Sequence, residues 1–298
     1  DNDIKIEFPD ETYYTNGYGI HGEDVIVRNN NLDVMLASNS GGGIYLSYAG
    51  NGYNIVEGNT IYNHPNYAYN GVGLYISTAT NDTTEVRDNT FKGHGDHHIL
   101  NNNFAYIHHN IFELESGATS AIELSGSNSK ADIFNNTFVG IDESSSTIEG
   151  VYISSSVNTD NVDITNNIFY NLYRIINNDS SDAFTLSYND FYNISGELVD
   201  GSTIVGLGDY TFLDENGTSI DLYNNMSEDP LFVNILNGDY HLQQGSLCIN
   251  AGNPDILDEY GNPSSMGALP PYCDGIIDCF GICNGDSLED DCGVCDSD

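Results

Sequence analysis

The 298-residue sequence predicts an all-β solenoid of stacked parallel coils with very little helix. Its composition includes 31 Gly and 21 Tyr, which favours short strands joined by turns. An internal repeat is also present, and a fixed period indicates coils that each pack on their neighbours. From the number of repeats we expect about seven to nine coils.

The repeat is marked by an Asn that recurs about every 26 residues, at Asn30, Asn59, Asn89, Asn110, Asn136, Asn167 and Asn189. The residues three positions earlier are all aliphatic: Val27, Val56, Val86, Ile107, Ile133, Ile164 and Leu186. Those two positions later are Leu32, Ile61, Phe91, Phe112, Phe138, Phe169 and Phe191. Stacked coils bring like residues about 4.8 Å apart. We therefore expect internal apolar stacks and an Asn ladder at a tight bend, where Asn tolerates a left-handed backbone.

A second strand precedes each ladder segment, as in GIYLS (43–47), GLYIS (73–77), AIELS (121–125) and GVYIS (150–154). Strand alternation assigns its outward position to His21, Tyr45, Tyr75, Leu100, Glu123, Tyr152 and Ile176. We predict that Tyr45, Tyr75 and Tyr152 form a binding surface, because exposed aromatic side chains suit sugar rings or a second subunit. The alternative is that Tyr simply favours strands.

The run of N-x-F and N-x-I coils over about residues 20–192 resembles the right-handed parallel β-helix repeat of pectate-lyase-like proteins. The segments DPLFVN (229–234), GDYHLQQGSLCINAGNPD (238–255) and GNPSSMGALP (261–270) resemble the closing segment of secreted bacterial β-helix proteins. The resemblance implies a right-handed parallel β-helix over residues 1–271 and carries little information about chemistry. Residues 193–228 fit neither pattern, and we expect an irregular coil or lateral loop there.

Residues 272–298 form a separate cysteine-rich acidic segment. Its spacing resembles the D-C-x-G-x-C and D-D-C-G-V-C modules of large secreted bacterial surface proteins. We predict disulfides among Cys248, Cys273, Cys279, Cys283, Cys292 and Cys295. One such bond would join Cys248 to Cys273, and the sequence does not determine the connectivity. The alternative is a zinc site formed by Cys279, Cys283, Cys292 and Cys295.

The acidic side chains of the same segment predict a structural Ca²⁺ site, because hard cations take carboxylate oxygens. The predicted ligands are Asp274, Asp278, Asp286, Asp290 and Asp291. The alternative is a solvated acidic linker without bound metal.

The charge of the chain limits its partners. It has 45 Asp and Glu against 6 Lys and Arg, a formal net charge of −39. Nucleic acid and anionic membrane surfaces are therefore excluded as partners, and polyanionic substrates are disfavoured unless bound cations neutralise part of the charge.

No apolar stretch is long enough for membrane insertion. The crowded cysteines favour an extracellular or cell-surface location.

A basic patch in the third and fourth coils is the strongest enzyme-like feature. We predict Arg87, Lys92, His94 and His108 as candidate catalytic residues, since a polysaccharide lyase or epimerase needs such groups to remove a proton. The alternatives are a transition-metal site made by His pairs, or ordinary polar surface residues.

Two functions follow from these features. The leading hypothesis is a non-enzymatic extracellular surface protein that mediates adhesion, assembly or glycan binding. Its partner would be a polysaccharide, another surface glycan or copies of itself. The alternative hypothesis is a polysaccharide lyase, hydrolase or epimerase that acts through the basic patch.

Overall fold

The computed structural model describes residues 2–7, 17–22, 24–35, 41–47, 52–63, 71–77, 83–93, 97–127, 129–141, 147–157, 162–180, 184–200, 204–214, 216–285, 287–289 and 295–296. Within these residues the protein is an all-β parallel solenoid without an α-helix. The predicted fold class is therefore confirmed.

Three parallel sheets form the walls of the solenoid. Sheet I contains β2 (Gly17–Gly22), β5 (Gly41–Leu46), β8 (Gly71–Ile76), β11 (His97–Asn101), β14 (Ser120–Leu124), β17 (Glu149–Ile153), β20 (Arg174–Asn178) and β23 (Val199–Asp200). Sheet II contains β3 (Ile26–Arg28), β6 (Tyr53–Glu57), β9 (Thr83–Arg87), β12 (Phe104–His108), β15 (Lys130–Phe134), β18 (Val162–Thr165) and β21 (Thr185–Ser187). Sheet III contains β1 (Asn2–Glu7), β4 (Asn30–Met35), β7 (Thr60–Asn63), β10 (Thr90–Gly93), β13 (Ile111–Leu114), β16 (Thr137–Gly140), β19 (Ile168–Tyr170) and β22 (Asp190–Tyr192).

Each turn passes through sheets I, II and III in that order. About five turns, from β8 to β22, form the regular solenoid, which is fewer than the seven to nine coils predicted. Strands β1 to β7 extend the same sheets on the N-terminal side. The difference in the number of coils is minor.

The predicted apolar columns form the core. Phe112, Phe138 and Phe169 are fully buried on sheet III, and their rings stack at centroid separations of 4.8 and 4.6 Å with interplanar angles of 7° and 4°. The aliphatic column lines the inside of sheet II, where Val56, Val86, Ile107, Ile133 and Ile164 are also fully buried. Like residues meet because the strands of successive coils pair in register.

The Asn column forms a continuous hydrogen-bonded ladder between sheets II and III. Asn110 donates its backbone N–H and its Nδ2 to Oδ1 of Asn136, each at 3.0 Å. Asn136 in turn donates Nδ2 to Oδ1 of Asn167 at 3.0 Å and to the carbonyl of Ile107 at 2.8 Å. A buried amide is costly unless its groups are paired. Each ladder Asn therefore ties its coil to the next one.

The ladder Asn was predicted to adopt the left-handed conformation at the bend, and this is wrong. The left-handed residue is the one immediately before each ladder Asn. The φ angles there lie between 51° and 64°, at Asn29, Gly58, Asp88, His109, Asn135, Asn166, Tyr188 and Asn224. The positive φ turns the chain from sheet II to sheet III. The sequence predicted a single strand in each coil where these two strands lie.

The ladder has an eighth member that the repeat did not predict. Asn189 donates Nδ2 to Oδ1 of Asn225 at 3.1 Å. Asn225 donates its backbone N–H to Oδ1 of Asp221 at 2.9 Å. The segment 193–228 thus includes turns and a short hairpin of β24 (Phe212–Leu213) and β25 (Ser219–Ile220), yet it also extends the ladder.

The chain then returns along the side of the solenoid. Strands β26 (Phe232–Asn234) and β27 (Asp239–Leu242) pair around a 3₁₀ turn at Ile235–Asn237. A second apolar cluster forms around Ile168, Met226, Leu242, Cys248 and Met266.

Polar side chains of the bend hold the returning segment in place. Nδ2 of Asn135 donates to the carbonyl of Ser265 at 2.7 Å, and Nδ2 of Asn166 donates to Oγ of Ser264 at 2.9 Å. Oδ1 of Asn166 accepts the backbone N–H of Asn253 at 2.7 Å. The left-handed positions of the bend therefore provide the attachment points for residues 253–265.

The C-terminal segment contains the disulfides Cys273–Cys283 and Cys279–Cys295, and β28 (Leu288–Glu289) pairs there with β29 (Cys295–Asp296). These pairs confirm disulfides and exclude the zinc alternative, because Cys279 and Cys283 are already bonded. Cys292 lies outside the described residues.

The predicted participation of Cys248 in a disulfide is wrong. Cys248 is a free, fully buried thiol, and its Sγ lies 3.7 Å from Oδ2 of the buried Asp190. Burial raises the pKa of both groups. The thiol therefore belongs to the second apolar cluster.

Within the described part of the chain, no helix is long and apolar enough to cross a membrane.

We predict that Asn136→Ala lowers the free energy of unfolding by about 2–4 kcal/mol, since a buried polar group left unpaired costs roughly 1–3 kcal/mol. The substitution removes the acceptor of two N–H groups of Asn110. Equilibrium denaturation measures the change, with Asn237→Ala on the exposed 3₁₀ turn as the matched control. Equal free energies of unfolding for the two variants would show that the hydrogen bonds of the ladder do not stabilise the fold.

Candidate functional site

The outer face of sheet I carries an aromatic column, as predicted for Tyr45 and Tyr75. The ring of Tyr45 lies 4.9 Å from that of His21 and 5.1 Å from that of Tyr75. Strand pairing aligns these three residues on successive coils. The rings are tilted by 41° and 42°, so none lies flat against its neighbour.

The same column continues through one leucine into polar residues. Tyr75 is followed by Leu100, Glu123, Tyr152, Asn177 and Asp200 on the next strands of sheet I. The predicted last member, Ile176, is wrong: it is fully buried and pairs with Val151. The outward position belongs to Asn177.

A histidine joins two neighbouring strands of this face. His97 on β11 contacts Oγ of Ser120 through Nδ1 at 2.7 Å and Oε2 of Glu123 through Nε2 at 2.5 Å. Burial acts to raise the pKa of Glu123. Its hydrogen bonds to His97 and Ser125, together with the electrostatic effect of His97, outweigh burial, so the pKa of Glu123 is lowered. Glu123 is therefore held as a carboxylate.

A second carboxylate lies on the neighbouring strand. Oε1 of Glu149 accepts from Nη1 of Arg174 at 3.0 Å and from Nδ2 of Asn177 at 3.2 Å. Burial raises the pKa of Glu149 despite these donors. Nη1 of Arg174 also contacts Oδ2 of Asp200 at 2.8 Å.

Tyr152 lies between these groups. Its hydroxyl donates to Oδ2 of Asp179 at 2.8 Å. That hydrogen bond, burial and the negative charges of Asp179, Glu123 and Glu149 raise the pKa of Tyr152 to about 12. Both glutamates therefore act on the same hydroxyl, and this part of sheet I forms one polar cluster.

Four residues of this surface were not predicted from the sequence: Ser120, Glu149, Arg174 and Asn177. Ser120, Glu149 and Arg174 occupy one column, in register with His97. These three residues lie three positions before Glu123, Tyr152 and Asn177 of the tyrosine column, so the spacing along the repeat is a signal that predicts them.

The predicted catalytic patch is divided between two sheets. Arg87 and His108 are paired neighbours on sheet II, as expected. Lys92 lies on sheet III, and His94 lies outside the described residues. The structure thus brings two of the four residues together, and their catalytic role stays a prediction.

Acidic side chains hold both halves of the divided patch. Nη2 of Arg87 contacts Oε2 of Glu57 at 2.5 Å, and Nε2 of His108 contacts Oε1 of Glu85 at 3.1 Å. On sheet III, Nζ of Lys92 contacts Oε2 of Glu113 at 2.8 Å, beside a cleft of about 460 Å³. The hydroxyl of Tyr240 donates to Oε1 of Glu113 at 3.0 Å, so this group also attaches β27 to the solenoid.

Two of the five predicted calcium ligands are described, and both have protein partners. Oδ1 of Asp278 accepts the backbone N–H groups of Phe280 and Ile282 at 3.0 and 2.9 Å. Oδ1 of Asp274 accepts from Nδ2 of Asn284 at 3.2 Å. Among the described residues no group of three or more His, Cys, Asp or Glu side chains is placed to bind a metal. Asp286, Asp290 and Asp291 lie outside them, so calcium stays a prediction.

The role of Asp278 is shared by three other residues of the second half of the chain. In each case a carboxylate accepts the N–H groups two and four positions later, around a left-handed residue three positions later. These aspartates are Asp214, Asp221, Asp258 and Asp278. Part of the acidity of the chain therefore organises turns.

No protein-family model matches the chain, and no curated protein is detectably similar to it. The likeness to pectate-lyase-like proteins and to surface-protein cysteine modules is therefore a resemblance of motifs. The fold is a parallel solenoid, and its two disulfides are typical of proteins from an oxidising compartment.

Sheet II also carries two carboxylates on adjacent strands. Asp132 pairs with Asp163, and burial, followed by the charge of Asp163, raises the pKa of Asp132. Like charges directly opposite each other on neighbouring strands destabilise a sheet.

We predict that Asp132→Asn stabilises the fold at pH 7 by roughly 0.2–1 kcal/mol, the usual range for cross-strand pairs. Because folding raises the pKa of this carboxyl group, its ionisation opposes folding. The gain is therefore present above the folded-state pKa and disappears as the pH falls below the unfolded value. Denaturation of both proteins from pH 3 to pH 8 measures it, with the exposed Asp255→Asn as control; a gain that is independent of pH would contradict the assignment.

Proposed function

We propose that this protein is an extracellular glycan-binding solenoid whose binding surface is the outer face of sheet I. The observation that carries the proposal is the column of His21, Tyr45 and Tyr75, which continues into the polar cluster around Tyr152. The column offers one side chain per coil, about 4.8 Å apart. A polymer of sugar rings lying along the solenoid axis would meet a new side chain at every coil.

The chemistry of this face suits a hydroxyl-rich ligand. Tyrosine rings provide apolar contact at one end and a hydroxyl at the other, which is the combination that sugar rings use. The other end of the face offers carboxylates, an amide and a guanidinium group, which donate to or accept from sugar hydroxyls. The net charge of −39 favours a neutral or cationic glycan over a polyanionic one.

Secretion and attachment to a cell surface are part of the same proposal. The disulfides support an oxidising compartment, and the cysteine module resembles segments of secreted surface proteins. A structural Ca²⁺ ion in that module also belongs to the proposal, with a ligand set that would include the residues outside the described part.

We predict that Tyr45→Ala and Tyr75→Ala each weaken glycan binding about 5- to 10-fold, since one aromatic contact contributes roughly 1 kcal/mol. Binding of the purified chain to a panel of neutral, cationic and acidic polysaccharides measures the effect. The matched control is Tyr106→Ala, which removes an exposed tyrosine from sheet II.

The proposal fails if the Tyr106 variant loses as much binding as the two sheet I variants. It also fails if the wild-type chain binds no member of the panel. Self-association that depends on Tyr45 and Tyr75, measured by sedimentation, would assign the face to assembly between copies of the chain.

A second candidate function is hydrolysis of the bound glycan. It is favoured by two neighbouring carboxyl groups, Glu123 and Glu149, whose pKa values are shifted in opposite directions. In that reaction Glu149 would give its proton to the glycosidic oxygen as the bond from C1 to that oxygen breaks. Glu123 would take a proton from the water whose oxygen bonds to C1.

The hydrolytic candidate predicts new reducing ends and a rate loss of at least 100-fold in Glu149→Gln, the usual contribution of acid catalysis. Binding by that variant should persist. Absence of reducing ends across the panel would remove hydrolysis and leave binding, whereas unsaturated products would favour a lyase.

A further inference from the structure

Five of the described asparagines lie in the sequence N-x-S or N-x-T, which is the acceptor sequence, or sequon, for N-linked glycans in secreted proteins. They are Asn135, Asn178, Asn193, Asn216 and Asn225. A glycan is bulky, so the folded chain accommodates it only on an Asn whose side chain faces solvent. The structure therefore separates these five sequons by their surroundings.

Four of the five sequons have an Asn that the fold already uses. Asn135, Asn178 and Asn225 are buried, and Asn225 is a member of the ladder. Asn193 is exposed, but its Nδ2 donates to Oδ1 of Asn171 at 2.9 Å. A glycan on any of these four nitrogens would displace packed or hydrogen-bonded groups.

Asn216 has different surroundings. It lies in the turn between β24 and β25, where its side chain is exposed and has no hydrogen bond to the described part of the chain. A Cβ atom added to the next residue, Gly217, would meet no atom within 4 Å. The turn therefore projects into open space and leaves room for a glycan.

The surface beside this turn is apolar. Phe212 and Leu213, the two residues of β24, are 51% and 68% exposed, and Leu222, two residues after β25, is also exposed. Exposed apolar surface of this kind marks a contact with something that covers it. A glycan attached at Asn216 starts three residues after Leu213, so it would lie beside β24 and shield this surface from water and from other chains.

The hydroxyl group of this sequon becomes accessible through a small local opening. Thr218 is 7% exposed, and its backbone N–H donates to Oδ1 of Asp214 at 2.7 Å. The hairpin has strands of only two residues, and short surface elements open at a much lower free energy than the core. The sequons at Asn135 and Asn225 lie in the wall of the solenoid, so their opening requires coils to separate.

We propose that Asn216 is a site of N-linked glycosylation. Its Nδ2 forms a bond to C1 of the first sugar of a lipid-linked oligosaccharide diphosphate. The bond from C1 to the phosphate oxygen breaks, the lipid diphosphate leaves with the electron pair, and Nδ2 loses one proton to solvent. The inference rests on the secretion proposed above and is independent of glycan binding by sheet I.

The test incubates the purified, folded chain with an oligosaccharyltransferase and a lipid-linked oligosaccharide. Peptide mass spectrometry after enzymatic release of the glycan in heavy-oxygen water locates the modified asparagines. The expected occupancy of Asn216 exceeds that of each buried sequon by at least about 10-fold, which corresponds to roughly 1.4 kcal/mol in opening free energy. The reduced and denatured chain should lose this selectivity, because every sequon is then accessible.

Asn216→Gln should abolish the main glycopeptide, whereas Thr218→Ser, which keeps a hydroxyl group, should retain it. The matched control is Asn237→Gln, because Asn237 is also exposed and followed by Gly but has no Ser or Thr two positions later. The proposal is overturned if Asn216 stays unmodified in the folded chain while the denatured chain is modified there. Equal occupancy of Asn216 and the buried sequons in the folded chain, or loss of the glycopeptide in Asn237→Gln, would also overturn it.

The result is separable from that of the glycan-binding experiment. Modification of Asn216 in a chain that binds no polysaccharide would remove the proposed function and leave this site in place. Binding that depends on Tyr45 and Tyr75, in a chain that is not modified at Asn216, would do the reverse.

Discussion

A carboxamide buried in the wall of a solenoid has to find its hydrogen bonds in the next coil, and this requirement fixes the register of the protein. Oδ1 of Asn136 accepts two N–H groups from Asn110, and Nδ2 of Asn136 donates to Asn167. A shift of one residue would leave all of these groups unpaired inside the protein. The outward columns of the three sheets are aligned as a consequence.

Each face of the solenoid has its own side-chain chemistry, because each coil contributes side chains to every sheet. Sheet I combines tyrosines with a cluster of paired charges that includes Arg174, and sheet II carries Arg28, Arg87 and His108. On sheet II, Arg87 lies between Glu57 and Glu85. These two carboxylates therefore neutralise the charge of Arg87 within sheet II.

The sequence predicted the ladder and the apolar columns because these depend on repetition that is visible in the residues themselves. It missed the left-handed residue before each ladder Asn, since that position accepts Asn, Gly, Asp, His and Tyr alike. The bend explains the misplacement of Lys92: it lies five residues after Arg87, but the chain turns onto sheet III between them. Asn225 was missed because 36 residues separate it from Asn189, well beyond the average spacing. The environment of Cys248 depends on contacts with Asp190 that no local pattern records.

The most direct test of this account is hydrogen exchange at single-residue resolution at the ladder asparagines. The backbone N–H groups of Asn59, Asn89 and Asn110 donate to the side chain of the next coil, at 2.9 to 3.1 Å. The account predicts that these amides, although they lie at a bend, exchange as slowly as those in the centre of the β-strands. Exchange as fast as in the exposed turn at Ile235–Asn237 would show that the ladder does not hold the coils together.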